Sequence, residues 1–422
     1  MSLETKMIGL TFKNPVLAGC AGITERAKTA ERWLKTGAAG VLAKTITTDE
    51  KLRTYIRPVF YPLNKYGLKG AMTESEFLST IPPDKWAKEE APRFADLMTK
   101  YNARWIQSIV GRGLEYDDWA SLAQLVESAG AEGIELDLCC PLAPGESEEY
   151  KTIQLGEDPV VSAKLTAAVK KAVSIPVGVK LSPTVLSLGR VAEACRKDGG
   201  ADFCSAVNAP AGFHIDVEKE EIYGANTFVG YLPGPSLKWW GLWKVTQIRD
   251  ACDIEIAGVG GIWNADDALQ YIMLGCRIVE VVTAVYFDGP QVFTRIIEGI
   301  EKFMDKKGYS SIEDFRGKMY EKLKAYREIP KEKVITLAPT AIEPLFDTDT
   351  CIWCGKCETS CIHAAIELNE ATKSIKVDKN ECAGCGFCAG ICPVGAVKII
   401  HSKTGRVIWT GEGRIETDWV NW

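Results

Sequence analysis

Eight short apolar runs alternate with amphipathic stretches over about the first 300 residues, and two cysteine cassettes follow near the C-terminus. The first pattern predicts an α/β chain built as a (β/α)8 TIM barrel. The second predicts a small α+β domain behind it.

The runs are VLAGCAG (16–22), GVLAKTIT (40–47), RWIQSIVG (104–111), GIELDLCC (133–140), PVGVKLSP (176–183), ADFCSAVN (201–208), IEIAGVGG (254–261) and IVEVVTAVY (278–286). Each is of strand length and is bounded by turn residues. Between them lie stretches such as DDWASLAQLVESAG, DPVVSAKLTAAVKKAV and NADDALQYIMLG, long enough to be crossover helices. A doubly wound open sheet is the rival architecture, and the count of eight favours the closed barrel. Function in such a barrel sits at the C-terminal ends of the strands, and the loops after strands 7 and 8 commonly hold a phosphate. Here they read GVGGI (258–262) and VVTAV (281–285), with glycines that let backbone N–H groups approach an anion. A Gly-Gly pair alone can also mark nothing more than a bend at a strand end.

The cassettes are CIWCGKCETSC (351–361) and CAGCGFCAGIC (382–392), each spacing four cysteines by two, two and three residues. A disulfide framework suits small secreted chains, and the seven other cysteines, at 20, 139, 140, 195, 204, 252 and 276, are scattered mostly in apolar runs. Zinc sites usually pair two doublets, whereas each cassette here offers a triplet and an outlier. A triplet plus one is the spacing in which three thiolates hold one [4Fe–4S] cube and the fourth holds the other. That pattern assigns Cys351, Cys354, Cys357 and Cys392 to one cluster and Cys382, Cys385, Cys388 and Cys361 to the second. Residues 346–402 thus resemble bacterial two-cluster ferredoxins. Pro393 follows Cys392 as that family prefers, while Ile362 follows Cys361, which predicts altered local packing rather than a lost ligand. The stretch between the cassettes, AAIELNEATKSIKVDKNEC, predicts two short strands around a turn, and the repeat predicts pseudo-twofold symmetry.

This divides the chain into a barrel over 1–305, a helix and extended linker over 306–345 with Pro330, Pro339 and Pro344, the cluster domain over 346–402, and a tail over 403–422. A net charge of −6 disfavours nucleic acid or an anionic membrane surface as a partner. The N-terminus lacks a signal-peptide pattern and no apolar run approaches the length of a membrane span, so the cytoplasm is the expected compartment.

FKNPVLAGCAG, AKTIT, GIELDLCCP, VGVKLSP, LPGPSLK (232–238), AGVGGI and VVTAV occur in the order seen in dihydroorotate dehydrogenase-like FMN barrels, and the resemblance spans residues 5–300. With a ferredoxin domain behind it, the chain looks most like the FMN and iron–sulfur portion of the dihydropyrimidine dehydrogenases. The resemblance implies that Ala18 and Gly19 pack on the flavin and that Lys44 and Lys180 reach its pyrimidine edge. Asn208 would lie at the same site, and Gly234, Gly260, Gly261, Thr283 and Ala284 would hold the phosphate. A lysine beside the flavin stabilises the negative charge that develops on reduction. Without the resemblance, a strand-end lysine reads equally as a solvated or salt-bridged side chain.

Departures bear on the substrate. Asp137 stands where those enzymes place an asparagine that binds a pyrimidine amide edge, so a donor and acceptor becomes an acceptor only. Ala209 replaces a hydroxyl residue, and KGAMTESEF (69–77) lacks the asparagine expected near residue 72. Leu155 occupies the position of the loop cysteine that donates a proton. Among neighbouring loop residues Glu146, Glu149 and Tyr150 are the candidate replacements, beside Ser147, Glu148 and Thr152. Trp239, Trp240 and Trp243 open a helix and read either as core or dimer packing or as an aromatic wall for a flat substrate. No Gly-x-Gly-x-x-Gly motif follows a strand, so the expected electron donor is an NAD(P)H-dependent FAD reductase subunit or a ferredoxin. The expected reaction is reduction, or oxidation, at a CH–CH bond of a cyclic or carbonyl-conjugated substrate. Two other readings stand beside it, a genuine dihydropyrimidine dehydrogenase subunit and a non-catalytic electron-transfer subunit.

Overall fold

The structure, a computed structural model, describes residues 1–53, 57–76, 78–139, 155–224, 230–328, 341–413 and 415. The chain divides into two compact units, Met1–Glu321 and Lys322–Trp422.

In the first unit eight parallel strands close a barrel. They are β1 (Val16–Ala18), β2 (Gly40–Thr47), β3 (Arg104–Val110), β4 (Gly133–Asp137), β5 (Val177–Leu181), β6 (Phe203–Ala206), β7 (Glu255–Val259) and β8 (Ile278–Val281). All eight fall within the runs read from the sequence. The principal crossover helices are α1 (Ala27–Lys35), α2 (Ala91–Tyr101), α3 (Tyr116–Ser128), α4 (Pro159–Ala172), α5 (Leu188–Lys197), α6 (Leu237–Ala251), α7 (Ala265–Met273) and α8 (Gln291–Lys307). Local chemistry fixes their starts. The Asp158 carboxylate accepts the Val160 and Val161 N–H groups just ahead of α4, with Pro159 at the first helical position. Asn264 and Asp267 cap α7 reciprocally.

Strand alternation sorts side chains between two environments. Ile134 and Leu136 of β4, Val177, Val179 and Leu181 of β5, and Val279 and Val281 of β8 join the large apolar layer shared with the helices. The other faces point into the barrel and form two layers. Leu17, Leu42, Ile106, Phe203, Ala257 and Ile278 fill the N-terminal end, closed by Met7 and Phe12 of the hairpin Thr5–Met7 and Leu10–Phe12. Above them, toward the C-terminal ends, Ser108, Glu135, Lys180, Ser205 and Glu280 are buried. Over this end lies a small antiparallel sheet, in the order Ala211–Gly212, Gly230–Tyr231, Met72–Glu74, Phe60–Pro62. The barrel interior is thus dry at one end and polar at the end that carries function.

In the second unit Ile342–Phe346 pairs antiparallel with Val397–His401, which pairs in turn with Val407–Trp409. Ile366–Asn369 and Ser374–Val377 form the hairpin read between the cassettes. Hydrogen bonds repeat at a constant offset: Cys351 N–H donates to Asp347 O (3.0 Å) as Cys382 N–H does to Asp378 O (2.9 Å). The Asp347 and Asp378 N–H groups donate to Ala396 O and Ala365 O, each at 2.8 Å. Each half therefore contributes to the other, which is the pseudo-twofold relation expected of the repeat. Among the described residues no helix is long and apolar enough to cross a membrane.

Candidate active site and cluster sites

A cavity opens at the C-terminal end of the barrel, the face on which such barrels carry their ligand sites. Its lining includes Lys180, Asn208, Gly260, Gly261 and Thr283 from the sequence-read set, with Cys20, Phe60, Glu74, Glu76, Trp263, Glu280 and Tyr286 beside them. Gly260 and Gly261 hold positive φ, +116° and +68°, and a Cβ on Gly261 would lie 2.5 Å from Lys238 N. Only glycine fits that turn, which exposes backbone to the cavity.

Lys44, near the end of β2, extends to Glu76, with Nζ 3.1 Å from Oε2 and both side chains largely buried. The same carboxylate oxygen accepts the Gly22 N–H at 2.7 Å. Burial works against the Lys44 ammonium, but Glu76 outweighs it and holds its pKa above the usual lysine value. Glu74, two residues earlier, accepts the Glu76 N–H on Oε2 at 2.7 Å. Burial and then the Glu76 charge push its carboxyl up to about 8, against the pull of Lys44 and Lys180.

Below them Lys180 makes no hydrogen bond or ion pair through Nζ among the described residues. Its register partners are Asp137 on β4 and Ser205 on β6. Glu135 and Glu280 are buried close to Ser205, and among the described residues no partner meets either carboxyl or the Ser205 hydroxyl at full hydrogen-bond geometry. Burial raises both carboxyl pKa values, with Lys180 acting in the opposite sense. Two carboxyls facing one lysine in a dry interior cannot both stay charged.

The remaining sequence-read residues fall as follows. Ala18 is fully buried at the end of β1, and the lining begins two residues later at Cys20. Gly19 packs so closely that a Cβ would meet Val282 at 2.7 Å and Glu280 at 3.0 Å. Gly234 abuts Gly70 O, and Ala284 is buried behind Thr283. Asp137 is 2% exposed and outside the lining. Its Oδ2 lies 3.1 Å from the Thr45 hydroxyl, and its Oδ1 accepts the Cys139 N–H at 3.2 Å. Those neighbours capture the carboxylate and turn it from the cavity. Glu146, Ser147, Glu148, Glu149, Tyr150 and Thr152 lie outside the described residues, whereas Leu155 packs against the apolar core. Trp239, Trp240 and Trp243 are 64%, 59% and 54% exposed on α6 and do not line the cavity. The aromatic wall is instead made by Trp263, Phe60 and Tyr286, the last two with ring centroids 4.7 Å apart. Sequence reasoning missed Glu74, Glu76 and Glu280. A usable signal was there for Glu280, a lone carboxylate inside the apolar run IVEVV.

In the second unit one hollow is lined by Cys351, Cys354, Cys357 and Cys392, and another by Cys361, Cys382, Cys385 and Cys388. Among the described residues no three ligand side chains converge as on a single metal ion. In each hollow four thiols line a common volume. Cys361 Sγ accepts the Ala365 N–H at 3.4 Å and Cys392 Sγ the Ala396 N–H at 3.2 Å, contacts of the kind that tune a cluster's potential. Ile362, where the proline is missing, is 82% exposed and leaves Cys361 in its hollow.

Comparison with known proteins matches residues 2–304 to the family described as dihydroorotate dehydrogenase and residues 345–399 to a 4Fe-4S dicluster domain. The chain belongs to the dihydroorotate dehydrogenase family. It is similar to the protein named dihydroorotate dehydrogenase B (NAD(+)), catalytic subunit, of Methanocaldococcus jannaschii, 31% identical over 76% of this chain and 98% of that protein. The proteins of the same name from Pyrococcus furiosus and Oceanobacillus iheyensis are each 31% identical, over 75% and 74% of this chain and 98% and 97% of theirs. Each relative is aligned almost end to end, so about a quarter of this chain has no counterpart in it. This member of the dihydroorotate dehydrogenase family is an FMN oxidoreductase with a [4Fe–4S] ferredoxin domain, and an electron-transfer partner goes with that build. The groups that line its cavity fit the chemistry of FMN. Gly260, Gly261 and Thr283 offer backbone and hydroxyl groups for a phosphate, and the unpartnered Lys180 ammonium offers a cation for the flavin's anionic edge.

Proposed function

We propose that this chain is the catalytic part of an iron–sulfur flavoenzyme that reduces an activated C=C bond in an uncharged cyclic or carbonyl-conjugated compound. Cys351, Cys354, Cys357 and Cys392 would hold one [4Fe–4S] cluster and Cys382, Cys385, Cys388 and Cys361 a second, which would supply one-electron transfer. FMN, when bound, supplies the conversion between single electrons and hydride. The chain's own residues do the rest. Lys180 favours the reduced, anionic flavin edge, Gly260, Gly261 and Thr283 hold the phosphate, and Asn208 offers an amide to the substrate.

The observation that carries this reading is the pairing of two four-cysteine hollows with one cavity at the C-terminal end of the barrel, lined by Lys180, Gly260, Gly261 and Thr283, in a single chain. The relatives' printed name, that of a dehydrogenase's catalytic subunit, supports a dehydrogenase that works with a further subunit. A reductase subunit carrying FAD and NAD(P)H, or a free ferredoxin, is the donor, and the exposed Trp239, Trp240 and Trp243 give a second copy of the chain a surface on which to seat as a homodimer. A dihydropyrimidine dehydrogenase subunit is the second reading, supported by the same domain order. The test is anaerobic. Limiting dithionite should reduce the clusters and then bleach the FMN, and an α,β-unsaturated cyclic ketone should restore the flavin absorbance. A flavin that is bleached but restored by no organic acceptor would instead mark a non-catalytic electron-transfer subunit.

A further inference from the structure

Saturating a C=C bond takes a hydride at one carbon and a proton at its neighbour, and Leu155 cannot give a proton. We propose that Glu74 is the catalytic acid of this site, its carboxyl delivering that proton to the substrate. The inference rests on the flavin-reductase reading above.

Three features of the geometry carry it. Met72 and Glu74 are alternate residues of one strand and both line the cavity, while Thr73 between them points the other way and is buried. The strand is internal to the sheet over the mouth, and Glu74 is in register with Phe60 on one side and Tyr231 on the other, an apolar setting that disfavours its charged form. The two glutamates also divide the charge between them. Glu76 is anchored as a carboxylate by Lys44 and the Gly22 N–H, whereas Glu74 has no cation within 4 Å among the described residues and only one oxygen in a hydrogen bond. The charged groups acting on Glu74 are Glu76, Lys44 and Lys180, and with burial they bring it to about 8, so the acid form dominates near neutrality.

The step balances. The π bond breaks, one carbon takes the hydride pair from the reduced flavin, and the adjacent carbon takes the Glu74 proton. Glu74 is left as a carboxylate beside Glu76, a repulsion that favours its recovery of a proton from water.

The test uses the FMN- and cluster-loaded protein and its E74Q and E74D variants. Infrared difference spectra taken across pH should show carboxylic C=O absorbance titrating near 8, of which one component is lost in E74Q while that of Glu135 remains. Dithionite-reduced protein mixed with 2-cyclohexenone should be reoxidised at least about 100-fold more slowly in E74Q, with flavin absorbance and thermal midpoint retained. E74D should keep part of the rate with a displaced basic limb in the pH profile, and it decides the matter should E74Q fail to fold. An unchanged E74Q rate, an unmoved E74D profile or the lack of that infrared component would overturn the assignment and return the donor to the loop around Glu146, Glu149 and Tyr150. Wild-type protein that no enone reoxidises would overturn the flavin-reductase reading itself, a separate outcome.

Discussion

Lys44 and Glu76 form an ion pair of 3.1 Å at the rim of the cavity, with side chains only 7% and 11% exposed. The pair sets the charge of the site, because it neutralises one of the two lysines buried toward the C-terminal end of the barrel. Breaking a buried pair from one side leaves an uncompensated charge. Glu76→Ala should therefore lower stability by about 3–5 kcal/mol in denaturant unfolding, part of it from the orphaned Gly22 N–H. Glu76→Gln should lose less and should convert the cavity into one that binds carboxylate ligands, seen as a perturbed flavin spectrum on adding orotate.

The crossed cysteine sets predict which cluster each outlier holds. Cys392→Ser should remove the cluster of the 351–357 triplet and spare the other, and Cys361→Ser the reverse. Anaerobic iron analysis should fall from about eight to about four irons per chain in each variant, with different residual electron paramagnetic resonance signals. Stoichiometric zinc in place of iron would show the cubane assignment to be wrong.

Glu280 and Glu135 make stability depend on pH. Both carboxyl pKa values are raised by burial, so between the unfolded glutamate value of about 4.3 and the higher folded values the unfolded chain has lost protons that the folded chain keeps. Below that window the groups cost nothing. As pH rises through it, stability falls by up to about 1.4 kcal/mol per pH unit for each group. Glu280→Gln should therefore raise the thermal midpoint at pH 8 and leave it nearly unchanged at pH 4, as calorimetry at the two values would show. A larger gain at pH 4 would mean that the carboxyl is ionised in the native state.

These groups also mark where reading the sequence stopped. Strand positions were legible because eight apolar runs have few other ways to bury themselves, and the cysteine spacing carried its own ligand sets. Glu74 was hidden because TES reads as solvated loop until a four-stranded sheet folds it over the mouth. Asp137 sits at a strand end where a cavity-facing role is natural, and only the hydroxyl of Thr45 and the amide of Cys139, from other positions in the fold, turn it aside. The three tryptophans of α6 went the opposite way, since helix phase alone does not say which face the barrel covers.

The last prediction concerns which compounds the site refuses. A carboxylate substrate needs a cation of its own, and Lys44 is already paired with Glu76 while Lys180 would be taken by the flavin's anionic edge. The cavity wall adds the Glu76 carboxylate, so an anion such as dihydroorotate would meet a like charge rather than a free cation. A pyrimidine ring fares little better: Asp137 is withdrawn, Ala209 offers no hydroxyl, and each unmatched amide group loses roughly 1–3 kcal/mol. Proteins that share this barrel can be sorted by that comparison. Photoreduced protein mixed anaerobically with orotate, uracil and 2-cyclohexenone should have its flavin reoxidised fastest by the enone, and at least about 100-fold more slowly by the other two, since two lost contacts of that size multiply to such a factor. Rapid reoxidation by orotate would show that Lys44 leaves Glu76 for the ligand, and rapid reoxidation by uracil would restore the dihydropyrimidine dehydrogenase reading.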